Sequence, residues 1–248
     1  MNLIYLAAGM GKRLKNITFN QPKCLAKIND KRIIDYNIPN FSLFNKVIVI
    51  SGYKSLVLKE YLKKNKKITF IKNSKYKTTN MVKSISLAKK YVDKSDIIIC
   101  YGDIIFDQLI INKLIKNKKY KNLMPLNLNW LSLWKKRMAV KKIIKDAEDI
   151  KTEKGNKVIS IGGKIKEKYP KLQFMGLIKL NFKTFKKLMN FFEKNNEKID
   201  FTSFLNSALK NNLLVLNYFV TNKYWFEIDN KQDILITKKF FYKKRNKY

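Results

Sequence analysis

The chain begins with a short apolar run, residues 2–6 (NLIYL), that leads directly into small residues and glycines, residues 7–11 (AAGMG). A buried strand that ends in this way exposes backbone N–H groups at the carboxyl edge of a sheet, where open α/β sheets bind ligands. The glycines let the backbone approach a phosphate group closely, and Lys12, Arg13 and Lys23 can neutralise its charge. The segment therefore predicts a phosphate-binding loop after the first strand of an α/β sheet.

The type of loop is narrowed by the motifs that the sequence lacks. It contains no G-x-x-x-x-G-K-[ST] phosphate loop, and Leu14 stands where a dinucleotide-binding G-x-G-x-x-G has its third glycine. Two glycines alone also mark ordinary tight turns, so the interpretation depends on the residues that follow them. These residues are Arg13 and Leu14, followed a few positions later by Pro22 and Lys23.

The fold class follows from apolar runs of strand length that alternate with helical stretches. This alternation is typical of βαβ units and predicts an α/β fold with a three-layer, doubly wound, mostly parallel sheet of Rossmann-like form. Strands are expected at residues 46–52, 68–71, 96–101, 157–161, 174–180, 213–219 and 224–228. Helices are expected near residues 33–44, 55–64, 80–91, 183–194, 202–211 and 231–241.

The length of 248 residues suits one domain with a sizeable core, and we expect that domain to span residues 1–240. Residues 127–171 are largely irregular and polar, so we interpret them as an insertion that closes over the site as a lid. Residues 241–248 are rich in basic side chains and are expected to form a frayed tail.

The net charge of +36 by itself favours a nucleic-acid or membrane-surface partner. The positive charge is, however, almost entirely lysine scattered through every segment, and no nucleic-acid-binding motif stands out, so we expect no specific nucleic-acid partner. Arginine occurs only at Arg13, Arg32, Arg137 and Arg245. Arg13 and Arg137 are candidates for sites that need a planar, bidentate donor, whereas Arg32 and Arg245 are interpreted as chance survivals.

The sequence contains no histidine and only two cysteines, Cys24 and Cys100. Any metal should therefore be hard and oxygen-ligated, which favours Mg²⁺ over Zn²⁺. Two cysteines are too few for a disulfide framework and suggest a reducing compartment, and Cys24 is interpreted as a packing residue. No signal peptide and no apolar run long enough to span a membrane is evident, so a cytoplasmic location is expected.

Two of the scarce acidic residues follow predicted strands. Asp103 comes after Tyr101 and Gly102, and Asp229 closes the run Trp225-Phe226-Glu227-Ile228-Asp229. Each aspartate alone would also suit a turn or a helix cap. Together, beside a phosphate-binding loop, they favour coordination of Mg²⁺.

These motifs resemble a known family. The pattern strand-A-A-G-x-G-x-R-L followed by P-K-x-L, with G-D and E-I-D at strand ends, resembles the nucleotidylyltransferases that act on sugar phosphates and other small phosphates. The order of the middle motifs resembles the bacterial phosphocholine-cytidylyltransferase-like branch, which includes enzymes that act on aminoethylphosphonate or phosphorylated amino-acid derivatives for surface polymers. Those motifs are TTNMVKS (78–84), Trp130, Trp134 and Arg137, DAE (146–148), IGGK (161–164), QFMGL (173–177) and DFTSFLN (200–206). Lys12 departs from the pattern, because relatives often carry Ser or Thr at that position.

The resemblance implies transfer of CMP from CTP to a phosphate or phosphonate oxygen, with release of pyrophosphate. It implies that Arg13 holds the triphosphate, that Lys23 holds the α-phosphate or the acceptor, and that Asp103 and Asp229 hold Mg²⁺. The acceptor is already an anion, so no general base is required, in agreement with the absence of histidine. The residues implied at the nucleotide are Leu6, Ala7, Ala8, Gly9, Met10, Gly11, Lys12, Asn80, Ser84 and Gly102.

The acceptor pocket is less well defined by the sequence. Trp130, Trp134, Tyr101 and Trp225 would suit an aromatic cage around a quaternary ammonium, but the two tryptophans at helical spacing would equally suit the core. Asp146 and Glu148 would suit an amino group of the acceptor or a solvated surface, and Glu227 is a further candidate. Choline, aminoethyl and amino-acid acceptors all remain open.

Three other functions are also compatible with parts of the sequence. A hexose-1-phosphate nucleotidylyltransferase that uses UTP or dTTP would share the loop and both aspartates. An RNA-associated basic protein would use the charge alone, and a nucleotide sensor would bind CTP without turnover. The protein is expected to be a monomer or a homodimer.

Overall fold

The computed structural model describes residues 1–165, 169–194 and 198–246. The strands are β1 (Asn2–Ala7), β2 (Lys27–Ile28), β3 (Lys31–Arg32), β4 (Lys46–Ser51), β5 (Ile68–Lys72), β6 (Ile97–Tyr101), β7 (Ile104–Phe106), β8 (Leu123–Asn127), β9 (Glu148–Glu153), β10 (Lys157–Lys164), β11 (Gln173–Phe174), β12 (Leu177–Leu180), β13 (Asn217–Thr221) and β14 (Trp225–Glu227). The α-helices are α1 (Ile38–Phe41), α2 (Ser55–Leu62), α3 (Met81–Leu87), α4 (Gln108–Lys116), α5 (Trp130–Arg137), α6 (Val140–Asp146), α7 (Phe182–Glu193), α8 (Phe201–Lys210) and α9 (Lys231–Arg245). Short 3₁₀ helices cover Lys12–Thr18, Lys23–Leu25, Ile33–Tyr36 and Ala88–Lys90.

The main sheet has the strand order β5-β4-β1-β6-β12-β8-β13-β10-β9, with β11 paired to β8. The first four of these strands are parallel, β12 runs antiparallel to both β6 and β8, and β13 is parallel to β8. Most strands of the sheet therefore point in one direction. The predicted α/β fold with a doubly wound, mostly parallel sheet is confirmed.

Two apolar cores, one on each side of the sheet, produce the three layers. In β1, Leu3 and Tyr5 face a core that includes side chains of α2, α4 and α5. Ile4 and Leu6 face the other core, which includes side chains of α3, α7 and α8. A strand that is buried on both faces must be apolar throughout, which is why residues 2–6 read as a continuous apolar run.

Residues 127–171 differ from the predicted irregular segment. They contain α5, α6 and an antiparallel hairpin of β9 and β10, and this hairpin extends the main sheet beyond β13. Part of the segment, residues 166–168, lies outside the described residues. The proposed closure of this segment over the site stays a prediction.

Two other predicted elements are interrupted for identifiable reasons. The helix expected near residues 33–44 is a 3₁₀ helix followed by the short α1, with Pro39 in its first turn, where a missing N–H is tolerated. The strand expected at residues 174–180 breaks between β11 and β12. There Gly176 adopts a positive φ of 75°, and a Cβ on it would lie 2.8 Å from the Tyr101 ring.

The C-terminal segment also differs from the expected tail. Helix α9 continues through Arg245, and the Phe241 ring stacks on Tyr36 with ring centroids 4.8 Å apart. Lys243 and Lys244 are exposed. In the described part of the chain, no helix has both the length and the apolar character needed to cross a bilayer.

Arg32, interpreted from the sequence as a chance survival, has specific partners in the structure. Its Nη1 donates hydrogen bonds to Gln21 Oε1 at 2.8 Å and to the carbonyl of Leu25 at 3.2 Å. The guanidinium also lies 4.7 Å from the centroid of the Tyr61 ring. A planar stacking face is what lysine cannot supply, so the contact with Tyr61 is a physical reason for an arginine at this position.

Candidate active site

The ends of β1 and β6 meet so closely that only glycine fits between them. The Gly102 N–H donates to the carbonyl of Leu6 at 2.9 Å, and a Cβ on Gly102 would lie 2.3 Å from that same oxygen. This approach places Asp103, the residue after Gly102, beside the loop that follows β1. The juxtaposition expected from the sequence at the carboxyl edge of the sheet is therefore present.

A cleft of about 220 Å³ opens at this edge of the sheet. The first loop contributes Leu6, Ala8 and Gly9 to its wall. The remaining lining residues are Tyr76, Thr79, Asn80, Met81, Ser84, Tyr101, Gly102 and Asp103. Eight of the residues predicted at the nucleotide, the metal or the acceptor thus share one cleft, namely Leu6, Ala8, Gly9, Asn80, Ser84, Tyr101, Gly102 and Asp103.

The other residues of the predicted loop, Ala7, Met10, Gly11 and Lys12, do not line this cleft. Ala7 is buried in the core, whereas Lys12 is exposed. Gly11 adopts a positive φ of 65°, and a Cβ on it would lie 3.0 Å from the Cβ of Lys23. The loop is therefore packed directly on Lys23, and a larger residue at Gly11 would strain this turn and displace the lysine.

Lys23 joins the two predicted metal-binding aspartates. Its Nζ lies 2.7 Å from Asp103 Oδ2 and 2.6 Å from Asp229 Oδ1, although these residues are 80 and 206 positions away in the chain. Burial opposes the charged form of Lys23, but the two carboxylates outweigh burial and raise the pKa of Lys23. Lys23 is therefore permanently protonated, and it lies beside Asp103, which lines the cleft.

Two arginines also form ion pairs with the Asp229 carboxylate. The exposed Arg13 places Nη2 2.9 Å from Asp229 Oδ1, and the buried Arg137 places Nη2 3.2 Å from Asp229 Oδ2. Burial alone would raise the pKa of Asp229, but Lys23, Arg13 and Arg137 together hold it below its usual value. Asp229 is therefore ionised at neutral pH and surrounded by cations.

Arg137 uses its planar guanidinium as a bidentate donor, the role for which the sequence made it a candidate. Its Nε lies 2.7 Å from Asp233 Oδ1 and its Nη2 lies 3.0 Å from Asp233 Oδ2. Asp233 also accepts hydrogen bonds from the backbone N–H groups of Asp229 and Asn230. Sequence reasoning missed Asp233; the only available signal was the capping pattern of Asn230 and Asp233 at the start of α9.

Glu227 lies beside this network. Its Oε2 is 3.4 Å from Arg137 Nη1, a long contact for an ion pair. Burial raises the pKa of Glu227, and the negative charges of Asp229 and Asp103 raise it further, against the opposing effect of Arg137 and Lys23. Glu227 is thus a carboxyl group next to the predicted metal ligands that holds its proton more strongly than an ordinary glutamate.

Both predicted metal-binding residues offer carboxylate oxygens, the donors that Mg²⁺ prefers, although Arg13, Lys23 and Arg137 contact both oxygens of Asp229 in this structure. The Oδ1 atom of Asp103 is buried and has no hydrogen-bond partner, while Oδ2 faces Lys23. In the described ranges no group of three or more acidic, histidine or cysteine side chains forms a complete metal cage. A complete cage is not required, because Mg²⁺ is commonly bound by one or two carboxylates together with phosphate oxygens and water.

A second acidic group, Glu148 and Asp200, lies near Tyr101: burial raises the pKa of the Tyr101 hydroxyl, and the negative charges of both groups raise it further. The Thr202 hydroxyl is 2.6 Å from Glu148 Oε1 and 3.0 Å from Asp200 Oδ1, and its one hydrogen can serve only one of them. Burial raises the pKa of Glu148, and Asp200 adds to the shift although the Thr202 hydrogen bond opposes it. Asp146, the other acidic candidate, is exposed at the end of α6.

The proposed aromatic cage is not assembled in the structure. Trp130, Trp134 and Trp225 are 1%, 5% and 3% exposed and contact one another in the core. Tyr101 instead contacts Phe174 and Phe201. Trp134 and Trp225 border a cavity of only about 10 Å³, which is room for a single water. For Trp130 and Trp134 the core interpretation is confirmed, whereas Trp225, predicted at the acceptor, is buried beside them.

Comparison with known proteins agrees with this geometry. The model of the nucleotidyl transferase family matches residues 2–244. The CTP:phosphoglutamine cytidylyltransferase of Campylobacter jejuni is 35% identical over 255 residues, which cover 94% of this chain and 98% of that enzyme.

Solved structures establish the same fold. CTP:phosphocholine cytidylyltransferase from Streptococcus pneumoniae is similar with a TM-score of 0.76 at 20% identity, covering 97% of this chain and 98% of that one. UDP-glucose pyrophosphorylase in complex with UDP-glucose also gives a TM-score of 0.76, at 15% identity and 98% coverage of both chains. Because the two enzymes are equally similar in shape, the fold alone does not choose the nucleotide base.

Proposed function

The chain belongs to the nucleotidyl transferase family and is a nucleotidyltransferase, and we propose that it transfers CMP from CTP to a small, nitrogen-bearing phosphate or phosphonate. The observation that carries this proposal is the convergence of Lys23, Asp103 and Asp229 at the cleft that the first loop forms. The 35% identity to a CTP:phosphoglutamine cytidylyltransferase over nearly the whole chain supports CTP as the donor.

The reaction forms one bond and breaks one. An oxygen of the acceptor phosphate attacks the α-phosphorus of CTP in line, and the bond from that phosphorus to the pyrophosphate oxygen breaks. The attacking oxygen already carries a negative charge, so no proton has to be removed. Lys23 and Arg13 donate hydrogen bonds to phosphate oxygens, and catalysis comes from positioning and charge stabilisation.

Asp103 and Asp229 are the residues that would hold Mg²⁺, which when bound offsets the repulsion between the phosphates and the anionic acceptor. Their support is the donor chemistry described above: Asp103 lines the cleft, and its buried Oδ1 atom has no hydrogen-bond partner. The phosphates of CTP offer Lys23 new partners, so the lysine can leave the carboxylate pair when the nucleotide binds. Arg137 and Asp233 keep the loop that carries Asp229 in place during this exchange.

The acceptor is assigned to the side of Tyr101 where Glu148, Thr202 and Asp200 lie. The chain as a whole carries a net charge of +36, but the partners of Glu148 in this group are a hydroxyl and a second carboxylate. The group is therefore locally acidic. Such a site suits the amino or ammonium group of a small acceptor. A product of this kind would serve as an activated precursor, and its predicted use is in a cell-surface polymer. The free, buried Cys24 and Cys100 suit a cytoplasmic enzyme.

Two glycine substitutions separate the binding role of the first loop from its structural role. A Cβ on Gly9 would meet no atom within 4 Å, so Gly9→Ala should change the free energy of unfolding by less than about 0.5 kcal/mol. It should nevertheless weaken CTP binding, because the methyl group takes the space of a phosphate.

Gly102→Ala should destabilise the protein by about 1–3 kcal/mol, because it forces β1 and β6 apart. Urea unfolding and calorimetric titration with CTP measure both effects, and unchanged CTP affinity in Gly9→Ala would contradict the assigned role of the loop.

Base and acceptor preference are tested by pyrophosphate release. CTP, UTP, dTTP, ATP and GTP are each combined with phosphocholine, aminoethylphosphonate, phosphorylated amino acids and glucose-1-phosphate in the presence of Mg²⁺. We expect release with CTP and a nitrogen-bearing acceptor. Release only with UTP or dTTP and glucose-1-phosphate would identify a hexose-1-phosphate nucleotidylyltransferase instead, and CTP binding without release from any combination would favour a sensor.

A further inference from the structure

Three successive backbone carbonyls around Asp103 are each held by a group from another part of the chain. The Gly102 carbonyl accepts a hydrogen bond from the Tyr5 hydroxyl at 3.1 Å. The Asp103 carbonyl accepts from the Ile228 N–H at 2.9 Å, and the Ile104 carbonyl accepts from the Asn37 side chain at 2.9 Å. The backbone that carries the Asp103 carboxylate is therefore fixed on both sides as well as at the residue itself.

Tyr5 and Asn37 form a connected pair outside the cleft. The Asn37 amide also lies 3.4 Å from the Tyr5 hydroxyl. Tyr5 is 0% exposed and Asn37 is 2% exposed. The Tyr5 ring packs edge-on against Phe41, so its hydroxyl is held in one direction. Burial, with added effects from Cys24 and Cys100, raises the pKa of Tyr5, so the hydroxyl remains a donor.

The backbone is what aims the Asp103 carboxylate. Its Oδ1 atom has no hydrogen-bond partner, and its Oδ2 atom contacts Lys23, which must be free to change partners when phosphate binds. The side chain therefore receives little orientation of its own in the state that awaits a ligand. A shift of the 102–104 backbone would move the carboxylate away from its working position.

We propose that Tyr5 and Asn37 are positioning residues that act on the reaction through Asp103. This inference rests on the proposed function, because it assumes that Asp103 takes part in nucleotidyl transfer. Neither residue touches the substrates in this assignment. Their effect should be on the chemical step rather than on CTP binding, as is common for groups that orient a metal ligand.

The experiment compares Tyr5→Phe and Asn37→Leu with matched controls. The Tyr36 hydroxyl also donates to a backbone carbonyl at 3.1 Å, that of Ile28, and Asn122 is a buried asparagine whose amide donates to the Val215 carbonyl at 2.9 Å. We expect Tyr5→Phe and Asn37→Leu to lower kcat about tenfold or more, with the KM for CTP changed by less than about twofold. Tyr36→Phe and Asn122→Leu should leave kcat within about twofold of the unaltered enzyme, whatever they do to the melting temperature.

Combination with Asp103→Asn gives the decisive comparison. If Tyr5 acts through Asp103, adding Tyr5→Phe to Asp103→Asn should lower kcat no further, whereas independent effects would multiply. Tyr5→Phe that behaves like Tyr36→Phe, or that multiplies with Asp103→Asn, would overturn the inference and leave the proposed function intact. An Asp103→Asn enzyme with normal turnover would overturn the proposed role of Asp103, and the inference with it. Tyr5→Phe decides the matter even if Asn37→Leu fails to fold.

Discussion

Replacing Asp103 with asparagine should lower the turnover of CTP about 1,000-fold, which corresponds to about 4 kcal/mol of transition-state stabilisation. The substitution removes the charge of a group whose Oδ1 atom is unpartnered and whose Oδ2 atom contacts Lys23. The asparagine is almost the same size, and its amide oxygen can still accept a hydrogen bond from Lys23. The fold should therefore survive, and the melting temperature should change little.

The matched control is Asp107→Asn. Asp107 lies four positions further along and accepts a hydrogen bond from the Leu109 N–H at the start of α4. Asparagine is an equally good residue at this capping position, so neither stability nor turnover should change appreciably. A steady-state assay and a thermal melt on both variants measure these effects. An Asp103→Asn enzyme that kept a tenth or more of normal turnover would contradict the assigned role of Asp103.

Replacing Lys23 with methionine should both destabilise the protein and strongly reduce turnover. The Lys23 side chain is only 13% exposed, and its ammonium group lies between two carboxylates. Removing one partner of a buried ion pair leaves uncompensated charge, for which we expect a loss of about 3 kcal/mol in the free energy of unfolding at neutral pH. Turnover should fall at least about 100-fold, because a donor to the reacting phosphates is lost.

The pH dependence of this destabilisation has a definite sign. Asp229, whose pKa Lys23, Arg13 and Arg137 hold below its usual value, adds stability at pH values above the unfolded pKa of about 3.9. That stability is lost as the pH falls through the lower, folded value. The difference between the unaltered protein and Lys23→Met should therefore be largest near neutral pH and shrink below about pH 4.

Urea unfolding from pH 3 to pH 8 measures this difference, with Lys27→Met as the control. Lys27 is exposed in β2, so its replacement should have a small effect that does not vary with pH. A destabilisation by Lys23→Met that was equally large at pH 3 and pH 7 would point to lost packing rather than to lost charge compensation. It would contradict the electrostatic account of this site.

The parts of the fold that were predicted correctly are those with strong local signals. The strands β1, β4, β5 and β6 are apolar runs flanked by small or polar residues, and the structure confirms all four within a residue or two. The strand β8 was missed because Pro125 lies in its centre, where a missing N–H usually excludes a residue. The strand β9 was missed because its sequence, EDIKTE, is polar and belongs to the last strand of the sheet.

The candidate site shows the same division between local and distant information. The first loop and Asp103 could be predicted because they follow β1 and β6, two parallel strands that end at one edge of the main sheet. Asp229 was predicted from its position after a strand, but that strand, β14, pairs antiparallel with β7 in a separate sheet, so the edge argument does not apply to it. No local pattern indicates that Lys23 would bridge both aspartates, or that Arg137 would reach Asp233 across 96 positions. Tyr5 looked like an ordinary core residue, because the partner of a buried hydroxyl is defined only by tertiary structure.

The central claim, nucleotidyl transfer to a phosphorylated acceptor, is tested most directly by following CTP and the acceptor by phosphorus NMR. With Mg²⁺ and a nitrogen-bearing acceptor such as phosphocholine or a phosphorylated amino acid, the account predicts a new pair of coupled resonances from a CMP–acceptor diphosphate. An equal amount of pyrophosphate should form, and both products should form about 1,000-fold more slowly with Asp103→Asn. Release of CMP and pyrophosphate without the coupled product, or a coupled product from UTP and a sugar phosphate alone, would contradict the account.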